Sequence, residues 1–521
     1  MNRKVALFGV ALLIVLMIFA LIMNINANHD PSISDLAISD DDWNAIISTH
    51  TKQSHLNPGS ISLNGAALQI DEVNSRLFYS IDPDSAFPSN PKVKLSNDRL
   101  KLAIGANELE AEFVRSNQTV KILVYDERHY REFDLVLTYL PVLSISTMDD
   151  SKISDEDSDA FISLNNHGSI ITSNTKIHLR GGYTKNLEKS SYKLSLKKNN
   201  AKKNKISLLG MRSDDDWILN ALYTDPEKVR EIFATQLWKE CCEEHNAAQV
   251  PNSFEYRFVE LFLNDSYNGL YLLGYKPDKK SLGIKEGEII FKNQNYFEIN
   301  NLYNDDYYHF YTIENDVVDE LSARKELINY LNIIKSGNTD EIMDKFDIPN
   351  AIDLELHTVF TAHGDLSSEG QTKNLFLTIK QLNNRRFAIY TPWDFDFCFN
   401  NLVETYDNKE HLKDYVDYYG FIPQTLALPV SALRKNGDKN IDSMVAQRYG
   451  ELRQGAWSKK RIMELIDLYE ADIFNSGAYL REMNRWPNSN YLPDITNLDL
   501  FREYMTKRLE YLDKYYDFLP E

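Results

Sequence analysis

The sequence predicts an α+β protein in which strands come first and helices last. Three observations predict it. From residue 58 to about 140, the runs SISLNGAALQID, RLFYSID, KVKLS, LKLAIG, TVKILVYD and REFDLVLTYL are apolar or alternate, with Asn, Asp, Pro and Gly between them, as strands and turns require. Beyond Pro141 strand-like and helix-like segments mix. From 446 to 521 apolar residues recur at helical spacing, as in MELIDLYEADIF and FREYMTKRLEYLDKYYDFL.

The N-terminus reads differently from the rest. Val5–Met23 is an uncharged apolar run, about as long as a bilayer core is thick. Arg3 and Lys4 precede it and Asp30 is the first charge after it, so the positive-inside rule leaves residue 1 in the cytoplasm and the bulk of the chain outside the cell membrane. A cleaved signal peptide is the competing reading, with Ile25-Asn26-Ala27 as a poor cleavage site; its apolar region is normally shorter, about 7 to 15 residues. The expected order is a single transmembrane segment at 1–27, an acidic polar stalk at 28–57, a small Ig-like β-sandwich at 58–140, and a mixed α+β domain at 141–521.

Composition sets limits on function. The 521 residues carry 57 basic and 77 acidic side chains, a formal charge of -20, which argues against nonspecific binding of nucleic acid. The basic run KLSLKKNNAKKNK, Lys193 to Lys205, reads first as a solvated loop after a strand. Three cysteines make no disulfide framework, and neither they nor the 11 histidines show zinc spacing.

In the mixed region, PVLSISTM and TKIHLRGGYTKNLEKSSYKLSLKK read as strands joined by a Gly-containing turn. DDWILNALYTDPEKVREIFATQLWKECC runs from strand or loop into a helix with Pro226 at its start. YRFVELFLNDSYNGLYLLGYK is a strand pair, with turns at Asn264-Asp265 and Asn268-Gly269. A helix from Ser322 to about Lys335 and another over 349–363 follow, the second delivering Asp365; NLFLTIK and RFAIYTPWDFDF complete the centre.

The most informative chemistry lies in TPWDFDFCFN, where Asp394 and Asp396 stand two apart in an aromatic, strand-like run. Alternate residues of a strand share a face, so the two carboxylates can converge on a hard cation such as Mg²⁺, which takes one or two carboxylates together with substrate phosphates. A surface strand bearing solvated aspartates is the bland alternative.

Several separated segments together resemble the spore-coat protein H (CotH) kinase family. They are Arg180-Gly181 with Thr184 and Lys189-Ser190-Ser191-Tyr192; Asp225 and Arg230; Asn264, Gly269 and Tyr271; Phe291-Lys292; Asp365, Asn374 and Trp393-Asp394-Phe395-Asp396; and Tyr449, Arg453, Trp486 and Arg508. Tyr275 stands where the family usually has a glutamate. The resemblance implies a two-lobed, protein-kinase-like domain using ATP with Mg²⁺ or Mn²⁺. By the same resemblance, Asp365 is the catalytic aspartate, Asp394 and Asp396 hold metal with Asn374 beside them, and Arg180 and Gly181 cover the nucleotide. Lys189 is the first choice for the lysine on the phosphates and Lys292 the alternative. The implied activity is transfer of the γ-phosphate to Ser or Thr of a surface or coat protein. The other reading is a catalytically inactive surface protein acting in adhesion or assembly.

Overall fold

The computed structural model describes residues 30–148, 152–242, 245–298, 310–368, 371–401, 409–423, 428–489, 492 and 495–520. The apolar run Val5–Met23 lies outside them; among the described residues no helix is long and apolar enough to cross a membrane. The chain is mixed α+β and forms two compact units, one of residues up to Val142 with Asn165–Ile170, the other of Leu143–Leu164 with Ile171–Glu521.

The N-terminal unit holds a six-stranded and a three-stranded sheet. The alternating runs fold as read: Arg76–Ser80, Lys101–Ile104, Val120–Tyr125 and His129–Thr138 are strands of the larger sheet, and Ile61–Leu63 and Val93–Leu95 belong to the smaller. Ile61, Leu77, Ile104, Ile122, Phe133 and Leu135 share its core. Two features depart from an Ig-like sandwich. Arg76–Ser80 pairs in parallel with His129–Thr138, and short helices at Ile33–Leu36 and Ala111–Ser116 bury Ile33 and Val114 in the core. Residues 28–57, read as a stalk, therefore contain packed structure. Ser32 and Ala37 bridge to Lys92 and Ile104; the polar composition that suggested a stalk masks Ile33, buried in the core, and Leu36 and Leu56, packed against it.

In the C-terminal unit, seven strands close into a barrel: β1 (Val142–Thr147), β2 (Ser158–Asn166), β3 (Ser169–Arg180), β4 (Ser191–Lys197), β5 (Asp216–Asn220), β6 (Tyr256–Leu263) and β7 (Ser266–Gly274), in the order β1-β2-β3-β4-β5-β7-β6. β4 shows the period-2 pattern that drives it, with Tyr192, Leu194 and Leu196 buried. The hairpin between β6 and β7 turns once, at Asn264-Asp265, both at positive φ (47° and 54°), as a tight hairpin turn requires. The second turn expected at Asn268-Gly269 is absent; these residues continue β7. Gly269 has a different task. At φ +103°, a Cβ there would lie 2.3 Å from Glu482 Oε2.

A second sheet is antiparallel, formed by β8 (Ile289–Asn293), β9 (Tyr311–Ile313), β10 (Leu375–Leu382) and β11 (Arg385–Pro392) in the order β9-β8-β10-β11. Helices α1 (Arg230–Cys242), α2 (Glu320–Ser336) and α3 (Ile348–Phe360) intervene, and α4 (Ile441–Gln454), α5 (Lys459–Glu470), α6 (Ala478–Arg485) and α7 (Asp499–Tyr515) follow. α1 and α3 are buried on nearly every side, the mark of central rather than surface helices. α1 begins four residues after Pro226. Asp225 accepts hydrogen bonds from the backbone N–H groups of Glu227 and Arg230 (3.1 and 2.7 Å), so an acidic side chain, not the proline, organises its start. Arg230, fully buried, closes the arrangement on Asp225 and Glu227 at 2.7 and 2.6 Å.

α6 docks on the barrel through buried charge. Arg481 pairs with Glu260 of β6, Glu482 accepts from the Leu270 N–H at 2.8 Å, and Arg485 and Trp486 donate to the Tyr267 and Asn268 carbonyls, each at 2.9 Å. At the end of α3, Arg508 of α7 donates to the carbonyls of Val359 and Phe360, satisfying the terminal groups of the helix. That termination releases the chain toward Asp365.

The close approach at Gly269 gives a stability prediction. Gly269→Ala forces the Glu482 carboxylate away and strains the backbone, lowering the unfolding free energy by about 1–3 kcal/mol, as read by urea denaturation.

Candidate active site

A cleft of about 950 Å³ in the C-terminal unit is lined by barrel residues, among them Arg180, Gly181 and Lys189, and by Lys292, Asp365, Asn374, Trp393, Asp394 and Asp396. Every site residue chosen from the sequence therefore borders one cavity. Arg180 ends β3, and the connection to β4 opens with Gly181 at φ +114°, where a Cβ would lie 2.2 Å from Thr184 Oγ1; only glycine permits this turn.

The two aspartates do not sit on a strand. β11 ends at Pro392, and Asp394 has φ +67°, a left-handed conformation that aspartate tolerates better than most residues and that its surroundings fix here. Three successive hydrogen bonds do so. The Trp393 N–H donates to the Asn374 carbonyl at 2.9 Å, His363 Nε2 donates to the Asp394 carbonyl at 3.1 Å, and the Phe395 N–H donates to Glu231 Oε2 at 2.6 Å. Burial lowers the His363 pKa to about 4, so at neutral pH the ring is uncharged and its Nε2 carries the proton. Asp396 is fixed separately: its Oδ2 accepts from Thr224 Oγ1 at 3.0 Å, and its carbonyl accepts from Asn401 at 2.7 Å.

The carboxylates are crowded. Burial raises the Asp394 pKa; Arg180, Lys292 and Lys373 oppose the shift and Asp365 adds to it. Burial, then the charges of Asp394, Glu231 and Asp365, push Asp396 well above the usual carboxylate range. Glu231, buried on α1, is pushed up to about 8 by burial and by Asp394. Among the described residues the Asp394 carboxylate accepts no hydrogen bond and closes no ion pair, and no three His, Cys, Asp or Glu side chains cluster as a metal cage. Two adjacent carboxylates with a free face suit Mg²⁺ or Mn²⁺, which keep several waters and take phosphate oxygens.

Asp365 and Asn374 meet directly: Asn374 Nδ2 donates to Asp365 Oδ2 at 2.7 Å. Lys373 lies 3.1 Å from the same oxygen, and the Tyr296 hydroxyl donates to Oδ1.

The two candidate lysines part company. Lys189 is fully buried; its ammonium donates to Glu482 Oε1 at 2.6 Å and to the Leu270 carbonyl at 2.5 Å, and sits 4.3 Å from the centroid of the Tyr271 ring. Burial pulls its pKa down to about 8 against the opposing pull of Glu482. Its donors are thus spent inside the protein. Lys292, on β8, makes no hydrogen bond or ion pair among the described residues and sits 6.0 Å from the centroid of the Phe376 ring. Burial lowers its pKa while Glu314 and Asp394 oppose. Arg180 is likewise without an ion-pair partner among the described residues, its guanidinium 5.6 Å from the Trp393 ring centroid.

Sequence reasoning missed Glu231, Lys373, Tyr296, Thr224 and Glu482. Lys373 adjoins Asn374 and Glu231 adjoins Arg230, so proximity to chosen residues was the available signal. Nothing local marks Glu482, which meets Lys189 across 293 positions. Tyr275, at the departure from the family pattern, packs edge-on against Trp217 and under the Arg212 guanidinium, 3.9 Å from its ring centroid.

These contacts predict opposite consequences for the two lysines. Lys189→Met strands a buried carboxylate and costs about 3–5 kcal/mol of stability. Lys292→Met removes a desolvated, unpaired charge and leaves the unfolding free energy unchanged or higher. Denaturation of both variants checks this.

No curated protein matches the chain at a significant level. The family profile described as CotH kinase protein matches residues 177–512, well over half of the sequence and the whole span of the cleft residues. The chain belongs to the CotH kinase protein family.

Proposed function

We propose that the cleft binds ATP with Mg²⁺ or Mn²⁺ and transfers the γ-phosphate to Ser or Thr hydroxyls of a surface or coat protein. The observation that carries this reading is the pairing of opposites left open in one cavity: Arg180 and Lys292, cations without ion-pair partners among the described residues, share it with an Asp394 carboxylate that accepts no hydrogen bond. Phosphoryl transfer rests mainly on positioning and charge neutralisation, and this set supplies both.

In this reading Lys292 and Arg180 bind the phosphates, with the turn at Gly181 beside them. Asp394 and Asp396 hold the metal, with Asn374 as a neutral neighbour; when bound, the metal neutralises charge on the phosphates. Burial and, after it, the neighbouring carboxylates raise the Asp394 and Asp396 pKa values; a bound cation would offset both, which supports that assignment. Asp365 Oδ2 is held by Asn374 and Lys373, and Oδ1, which takes the Tyr296 hydroxyl and is also reached by Lys373 at 3.4 Å, is the oxygen that would orient an acceptor hydroxyl in place of Tyr296 and take its proton. Lys189 borders the cleft but commits its ammonium to Glu482 and the Leu270 carbonyl, holding α6 to the barrel, so Lys292 is the preferred phosphate lysine. We further propose a two-lobed, kinase-like arrangement of the domain at 141–521. Val5–Met23 would anchor it in the cell membrane with the bulk of the chain outside, a reading supported by the apolar run and its basic flank.

Purified protein with labelled ATP, Mg²⁺ or Mn²⁺ and a generic protein acceptor tests the activity. Label transfer is expected. Asp365→Asn should lower its rate by about 10²–10⁴-fold, Asp394→Ala should abolish it, and nucleotide with metal should raise the melting temperature. Absence of both nucleotide binding and transfer contradicts the assignment.

A further inference from the structure

Tyr296 lies three residues beyond the end of β8, the strand that carries Lys292. The next residues, Phe297–Glu298, form a short strand paired with Gln371–Thr372, immediately before Lys373 and Asn374. Gln294 and Asn295 line the same cleft as Arg180, Lys292 and Asp394. This route brings the Tyr296 hydroxyl onto Asp365, where it donates to Oδ1. Oδ2 is engaged by Asn374 at 2.7 Å and Lys373 at 3.1 Å. The Lys373 ammonium also sits 5.1 Å from the centroid of the Tyr296 ring. The oxygen that a general base offers to an acceptor hydroxyl thus already carries a hydroxyl from the chain itself. Burial and the Asp365 contact both raise the phenol pKa, so the group there is a protonated donor, as an acceptor awaiting deprotonation is. The side chain remains 41% exposed, so its ring is not locked in a core, as a purely structural tyrosine usually is.

We propose that Tyr296 is an acceptor of this site and is phosphorylated in cis. The proposal rests on the reading of the cleft as an ATP-dependent phosphoryl-transfer centre. Tyr296 Oη attacks the γ-phosphorus of ATP, the bond from that phosphorus to the β,γ-bridging oxygen breaks, ADP leaves, and the phenolic proton passes to Asp365 Oδ1. The product is an aryl phosphate at residue 296, an acceptor class beyond the aliphatic hydroxyls of Ser and Thr.

Incubation of the purified chain with ATP and Mg²⁺ or Mn²⁺, followed by phosphopeptide mapping by mass spectrometry, tests this on the unaltered protein. Phosphate on Tyr296, accumulating at a rate per molecule that does not change on dilution and lost in Asp365→Asn, is the expected result. A Tyr296→Phe variant with an unchanged melting temperature should lose that phosphopeptide alone. Phosphate on other residues or on an added protein, with none on Tyr296, overturns the proposal and leaves the kinase reading standing. A rate per molecule that rises with protein concentration overturns transfer in cis. No transfer to any acceptor overturns this proposal and the kinase reading together.

Discussion

The site depends on one backbone constraint, the left-handed conformation of Asp394 at φ +67°. Aspartate tolerates that region better than most residues, yet the conformation still costs at most on the order of 1–3 kcal/mol, so contacts that hold it fix the site. Three elements supply the restraint: the Asn374 carbonyl before β10, the His363 ring after α3, and the Glu231 carboxylate on α1, each taking one group of the Trp393–Phe395 segment. The same elements carry the rest of the chemistry. The chain leaving α3 delivers Asp365, the residue before β10 is Asn374, and α1 begins beside Thr224, which fixes Asp396. The elements that restrain Asp394 are thus the ones that place the other carboxylates.

Charge is distributed unevenly about this constraint. The protein carries a formal charge of -20, yet the cleft gathers Arg180, Lys292 and Lys373 around Asp365, Asp394 and Asp396. Most cations elsewhere near the rim are already satisfied. Lys189 has Glu482, Lys203 has Asp215, and Lys276 has Glu314. Arg180 and Lys292 close no ion pair among the described residues, and the Asp394 and Asp396 pKa values are raised first by burial and then by neighbouring carboxylates. An acidic exterior with a locally basic cleft favours a small anion over an extended one.

Much of this was legible locally. The alternation in KLSLK and the runs RLFYS, LFLTIK and FAIY reported strands directly, and the long apolar segment after Asp347 reported α3, because burial of one or two faces imprints itself on the local sequence. Asp365 and Asn374 lie nine positions apart and their hydrogen bond joins a single local segment, so choosing both was within reach of sequence reading. What was not legible is what the tertiary fold decides. Asp394 and Asp396 were chosen through a strand argument that the structure replaces: the strand stops at Pro392 and distant side chains set the two aspartates. The pairing of Lys189 with Glu482 could not be read locally, because the two lie 293 positions apart. The same holds for Ile33, in a stretch whose acidic composition suggested a stalk, and whose burial in the N-terminal core no local pattern announces.

The account's central claim is that Asp394, Lys292 and Arg180 together form a nucleotide and metal site. Diffraction from crystals grown with a non-hydrolysable ATP analogue and Mn²⁺, read through the anomalous signal of manganese, tests it most directly. The account predicts an anomalous peak against the Asp394 carboxylate, with the analogue's phosphates on Lys292 and Arg180. Manganese and nucleotide bound elsewhere on the protein, with this cleft empty, would contradict it.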